Sequence, residues 1–165
     1  MKIKSFIILF CIVLCAFQTQ AQDEKKLYDP TADAEQQIAD ALAQAKETNK
    51  HVFVQIGGNW CSWCILFHQF VEGNETVKSV FNDNYVPVKL NYSSENKNEE
   101  MLAKLGYPNR FGFPVFVILD AEGNRIHTQD SALLEDGKGY SEKKVVGFFK
   151  NWSSTAVNPA TYAEK

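Results

Sequence analysis

Cysteine is scarce in this chain, basic runs are absent, and no apolar stretch is long enough to cross a bilayer. Only four of the 165 residues are cysteines. Cys11 and Cys15 fall in an N-terminal segment that reads as removable, which leaves Cys61 and Cys64. One close pair cannot staple a small disulfide-rich scaffold, which needs several bridges. The 17 Lys and Arg residues are outnumbered by 20 Asp and Glu. No basic run exceeds two adjacent residues, so neither nucleic acid nor an anionic membrane is an expected partner. The apolar stretch from Phe6 to Phe17 falls short of the roughly 20 residues a spanning helix needs. Gly57-Gly58 alone is too little for a phosphate-binding loop, and no hydrolytic triad pattern, internal repeat or low-complexity linker is present.

The N-terminal segment has the layout of a signal peptide over residues 1–21. Lys2 and Lys4 precede the apolar stretch, and Thr19 and Ala21 supply small residues before a cut. Phe10 and Leu14 stand ahead of Cys11 and Cys15 where a lipid-modified cysteine normally follows a small residue, so lipidation is not expected. Cleavage predicts an exported protein, bacterial periplasmic or secreted, with no stable membrane insertion. Losing Lys2 and Lys4 takes the formal net charge from −3 to −5. Residues 22–32 are polar and expected to be flexible. Residues 33–165 are expected to form one domain, within a mature chain of about 144 residues that is long enough for a real core.

What the chain does contain is Gly58-Asn59-Trp60-Cys61-Ser62-Trp63-Cys64, directly after the apolar run Val52–Ile56. That run is short and rich in β-branched and aromatic residues, as a buried strand requires, and Gly57-Gly58-Asn59 breaks it. Ile65 to Val71 then carries apolar residues at helical spacing. The pair therefore lies at a strand–turn–helix junction. On the first helical turn, free N–H groups and the positive end of the helix dipole stabilise a cysteine thiolate, which is the nucleophile in disulfide exchange. A loop this short constrains an unfolded chain little, which favours a redox pair over a structural staple.

Trp60-Cys61-x-x-Cys64 after a buried strand, with Gly112-Phe113-Pro114 about fifty residues on, resembles the thioredoxin superfamily over most of the chain after residue 33. The Gly-Gly-Asn-Trp-Cys-x-Trp-Cys form is more similar to bacterial secreted thioredoxin-like proteins, and to the C-terminal domain of the membrane disulfide reductase, than to cytosolic thioredoxin. The resemblance implies a cis peptide at Phe113-Pro114 beside the cysteines, with Phe113 offering backbone hydrogen bonds to an extended substrate. Two departures stand out. Ser62-Trp63 replaces Gly-Pro between the cysteines, and Gln55 stands where the family has a buried Asp. Lys89 matches a lysine that neighbours that acid.

Helices are expected at residues 34–46, with Thr31 or Asp33 as cap, and at 61–71, 75–82, 94–105 and 142–152. Strands are expected at 51–56, 85–91, 114–119 and 125–128, with residues 130–140 a loop. This order predicts an α/β, thioredoxin-like fold: a mixed sheet of about four strands with helices on both faces. His51 and His127 are expected at the surface or a strand edge.

The function expected is an exported thiol–disulfide oxidoreductase, in the disulfide reductase direction, acting on protein disulfide or dithiol substrates. Cys61 is the expected nucleophile and Cys64 the resolving cysteine; the same pair can also run oxidation or isomerisation, because direction follows relative potentials. Trp60 and Trp63, with Phe113 and Pro114, are the expected substrate contacts, and Gln55 and Lys89 are auxiliary. Exchange requires no bound cofactor, only an electron-donating or accepting redox protein. Two alternatives stand beside it: a soft-metal (Cu) binding protein using Cys61, Cys64 and His68 at i, i+3 and i+7, and a thioredoxin fold kept for protein interaction with an inert disulfide.

Overall fold

The computed structural model describes residues 26–163; the expected signal peptide lies outside the described residues. The order is α1 (Ala34–Thr48), β1 (His51–Gly57), α2 (Ser62–Gly73), α3 (Glu75–Asn84), β2 (Tyr85–Asn91), α4 (Glu99–Lys104), β3 (Val115–Leu119), β4 (Arg125–Asp130), β5 (Glu135–Asp136), β6 (Gly139–Tyr140), α5 (Glu142–Asn151) and α6 (Ser154–Val157). The main sheet runs β2-β1-β3-β4, with β5-β6 a separate two-stranded ladder. β1 pairs parallel with β2 and antiparallel with β3, and β3 pairs antiparallel with β4. This is the α/β, thioredoxin-like architecture. Pro87, which has no N–H to donate, sits on the edge strand β2.

The two-residue period of β1 divides its side chains between two cores. Val52, Val54 and Ile56 pack with α1 and α4 residues such as Ile38, Ala45 and Leu102. Phe53 points to the opposite face, among Phe67 of α2, Phe81 of α3 and Phe149 of α5. It is the hub of that core, with ring centroids 5.1 Å from both Phe81 and Phe116. β1 and β3 are buried along their whole length, which explains the unbroken apolar sequence of β3 and the mostly apolar one of β1, where Gln55 is the buried polar exception within Val52–Ile56.

α1 starts where Asp33 accepts hydrogen bonds from the N–H groups of Glu35 and Gln36, and it ends at Asn49 in the left-handed conformation. The expected helix over 94–105 shrinks to Glu99–Lys104, because side chains take over the backbone before it. Asn91 Nδ2 donates to the Asn96 carbonyl, Asn98 N–H to Asn96 Oδ1, and Asn98 Nδ2 to the Asn91 carbonyl. The loop expected over 130–140 contains a 3-10 turn at Ser131–Leu134 and the β5-β6 ladder. His51 is buried rather than exposed, and its Nδ1–H donates to the Trp152 carbonyl at 2.8 Å.

Within the segment over 22–32, one described residue is anchored to the domain. Tyr28 is fully buried. Its N–H donates to Asn59 Oδ1 at 3.0 Å, and Asn59 Nδ2 donates back to its carbonyl at 2.8 Å. A polar sequence hid a single aromatic anchor.

Candidate functional site: a disulfide at a helix N-terminus

β1 ends at Gly57, the chain turns through Gly58 and Asn59, and α2 begins immediately after Cys61. Gly57 permits the close approach that follows: a β-carbon there would stand 2.4 Å from Cys64 Sγ and 3.0 Å from the Tyr28 hydroxyl. At Gly58 a β-carbon would meet the Trp60 ring at 2.4 Å and the Tyr92 carbonyl at 2.6 Å. Cys61 is the N-cap of α2, in extended conformation, and its carbonyl accepts from the Ile65 N–H.

Cys61 and Cys64 form a disulfide with Cα atoms 5.2 Å apart. The Cys64 N–H donates to Cys61 Sγ at 3.1 Å. This is the cap arrangement in which a reduced Cys61 gains a charge-assisted hydrogen bond and the field of the helix N-terminus. Cys61 retains 5% exposure and Cys64 none. Cys61 is thus the less covered of the two residues.

The Phe113–Pro114 peptide is cis, at the entry to β3. Phe113 packs against the Cys61–Cys64–Tyr28 cluster. Its ring is sandwiched between Tyr92, stacked at 4.7 Å, and Trp60, edge-on at 5.4 Å. Trp60 is 58% exposed, yet its Nε1–H donates to the Tyr92 carbonyl. Trp63 is half-buried and meets Tyr140 of β6 edge-on at 5.5 Å. Trp60 is therefore a surface group, whereas Trp63 is partly spent on packing.

Gln55 is fully buried beneath the pair. Its Nε2 donates to the Tyr28 hydroxyl at 2.7 Å and to the Cys64 carbonyl at 3.0 Å, and its Oε1 accepts from Lys89 Nζ at 2.6 Å. The cross-strand register Gln55↔Lys89 brings the last pair together. Burial holds the Lys89 ammonium down to about 8, with Glu72 pulling the other way. Burial likewise lowers His68, helped by Lys89 and opposed by Glu72. Among the described residues no three His, Cys, Asp or Glu side chains gather as a metal-binding set.

The thioredoxin-like family model matches residues 33–121, more than half of the chain. The protein belongs to the thioredoxin-like family. A disulfide bond reductase, DsbH of Chlamydia pneumoniae, is 26% identical over 132 residues, covering 72% of this chain and 78% of that protein. An uncharacterised Caenorhabditis elegans protein is 33% identical over 51 residues, 31% of this chain but only 7% of its own length. The crystal structure of a disulphide isomerase from Xylella fastidiosa superposes with a TM-score of 0.67 and 26% identity, over 76% of this chain and 95% of that one. The oxidised DsbD C-terminal domain of Neisseria meningitidis shares the fold, with a TM-score of 0.54 and 16% identity over 73% and 97% of the two chains. With the disulfide at the α2 cap, this thioredoxin-like site is that of a thiol–disulfide oxidoreductase.

Four contributors were missed from sequence: Tyr28, Asn59, Tyr92 and Tyr140. Only Asn59 carried a usable signal, by its place in the turn. The tyrosines are assembled by tertiary contacts 31 to 77 residues long in sequence.

Proposed function

We propose that the protein is an exported disulfide reductase acting on protein substrates. The observation that carries this reading is the Cys61–Cys64 disulfide at the start of α2, with the Cys64 N–H already directed at Cys61 Sγ. In the reduced protein the Cys61 thiolate attacks one sulfur of a substrate disulfide. The substrate S–S bond breaks, and its electron pair leaves on the other substrate sulfur, which takes a proton. Cys64, as thiolate, then attacks Cys61 Sγ, closing the Cys61–Cys64 bond and expelling the second substrate thiolate. One substrate disulfide becomes two thiols while the protein dithiol becomes a disulfide. A dithiol redox protein must reduce it again.

Phe113, which packs against the cysteines, and Pro114 are assigned to positioning an extended substrate segment; Trp60 is assigned the rim, where an exposed aromatic adds apolar contact. Gln55 and Lys89 are auxiliary, shaping the field under Cys64. The reductase direction is supported by the likeness to DsbH, and export by the layout of residues 1–21. Among the described residues no helix is long and apolar enough to cross a membrane. The test is mechanism-based trapping from an envelope extract. Cys64→Ser accumulates covalent, dithiothreitol-sensitive mixed disulfides through Cys61, whereas Cys61→Ser accumulates none. Equal labelling by both variants would sink the assignment of Cys61 as nucleophile.

A further inference from the structure

Tyr28 takes no part in the exchange chemistry just described, yet it is fully buried against both active-site cysteines. Its backbone is clamped to the active-site turn by the reciprocal hydrogen bonds with Asn59. A phenol has one proton to donate and two lone pairs to accept with. Which of these faces Gln55 is decided by the partners of the amide. Lys89 can only donate while it is an ammonium, and the Cys64 carbonyl can only accept, so Gln55 Oε1 faces Lys89 and Nε2 faces Cys64. The second Nε2 hydrogen then goes to the Tyr28 oxygen, which must accept it. The phenol proton is left pointing away from Gln55, and among the described residues no hydrogen bond uses it. A carboxylate in place of Gln55 would instead capture that proton.

Gly57 determines what the proton can reach. With no β-carbon there, Cys64 Sγ and the Tyr28 hydroxyl border the same empty position, at 2.4 Å and 3.0 Å from where that carbon would stand. In the disulfide the sulfur is uncharged and bonded to Cys61, and no hydrogen bond joins it to Tyr28. Opening the disulfide frees the Cys64 side chain to rotate and gives its sulfur a charge that needs a donor.

We propose that Tyr28 is a positioning residue for Cys64: once the disulfide is open, its hydroxyl donates a hydrogen bond to the Cys64 sulfur and holds the thiolate that resolves the mixed disulfide. This rests on the exchange reading of the pair. In that step Cys64 sulfur bonds to Cys61 sulfur, the Cys61–substrate bond breaks, and the substrate sulfur leaves with the electron pair and takes a proton from water. The Tyr28 proton stays on the phenol, because burial raises its pKa above the ordinary tyrosine value.

The experiment is a titration of Cys64 by its 13Cβ chemical shift in the Cys61→Ser background, which reads the contact independently of turnover. Tyr28→Phe keeps the ring packing and removes the donor; its Cys64 midpoint rises by about one pH unit, the size of one hydrogen bond to a charged group. Its effect on resolution is an about three- to fourfold slower release of a substrate thiol from the mixed disulfide at pH 7, because the more basic thiolate is scarcer but more nucleophilic. A second variant carrying 3-fluorotyrosine at position 28 has nearly the same shape and a more acidic hydroxyl, and its midpoint moves down. A merely structural role would not reverse the sign between these two replacements. An unchanged midpoint with 3-fluorotyrosine overturns the proposal, whatever the exchange activity. A wild-type protein that forms no mixed disulfide would refute the exchange reading, leaving the titration to judge the hydrogen bond separately.

Discussion

Gly57→Ala adds one methyl group at the point where β1 passes beneath the disulfide. Its β-carbon would stand 2.4 Å from Cys64 Sγ and 3.0 Å from the Tyr28 hydroxyl, whereas non-bonded atoms rest at about 3.5–4.0 Å. The sulfur must retreat by roughly 1 Å or the strand must shift. Neither neighbour yields easily: Cys64 is tied through its disulfide and through the Gln55 bond to its carbonyl, and Tyr28 is clamped by Asn59. Overpacking of this kind costs about 1–3 kcal/mol, and the gain from a less flexible unfolded chain, about 0.4–1 kcal/mol, offsets only part of it. Reduction cuts the tether on Cys64 and lets its sulfur rotate, so the cost is smaller in the dithiol form. If about 1.4 kcal/mol is relieved on reduction, the potential becomes more oxidising by about 30 mV. The assays are urea unfolding of the oxidised and reduced forms and equilibration of the pair in glutathione buffers. The expected result is a lower midpoint in both forms, with the larger loss in the oxidised one. An oxidised variant as stable as wild type, or a larger loss in the reduced form, would refute the reasoning.

The remaining predictions concern charge, rim and core. Lys89 has a folded pKa of about 8, below its ordinary value of 10.5. The unfolded chain therefore binds more protons between those values, and stability rises with pH from about 8. Buried Tyr28, Tyr85 and Tyr140, all raised by burial, reverse the slope above about pH 10 as unfolded tyrosines ionise. Lys89→Met removes the rise between pH 8 and 10 in denaturation midpoints; a retained slope would assign it elsewhere. Trp60→Ala removes an exposed ring, so KM for a protein disulfide rises several-fold while Tm falls by only a few degrees; unchanged KM would exclude Trp60 from substrate contact. Phe53→Ala empties the hub of the aromatic core and costs about 3–5 kcal/mol by chemical denaturation; a loss below 1 kcal/mol would show that Phe67, Phe81 and Phe116 close the cavity.

The parts of the fold legible in sequence are those in which a local pattern coincides with a tertiary requirement. β1 and β3 read as buried strands because both faces are covered, and the cysteine pair reads as a helix start because Gly57-Gly58-Asn59 interrupts the strand just before it. The resemblance supplied the cis peptide at Pro114, which spacing alone does not reveal. The stretch before α4 was misread because Asn91, Asn96 and Asn98 bond the local backbone and outcompete helix formation. Tyr28 was hidden for a different reason. Its polar neighbours suggest a solvated tail, and only the folded turn brings Asn59 and Gln55 to it. Gln55 and Lys89 were visible as matched positions, whereas their hydrogen bond follows from the parallel register of β1 and β2.

The most direct test of the central claim is to equilibrate the metal-free protein, residues 22–165, in dithiothreitol or glutathione buffers and count Cys61 and Cys64 thiols by mass spectrometry. Reversible two-electron cycling at a potential near that of thioredoxin, roughly −270 mV, is the result a disulfide reductase predicts. A value near −120 mV would contradict the reducing direction, and a pair that does not cycle at all would contradict exchange itself.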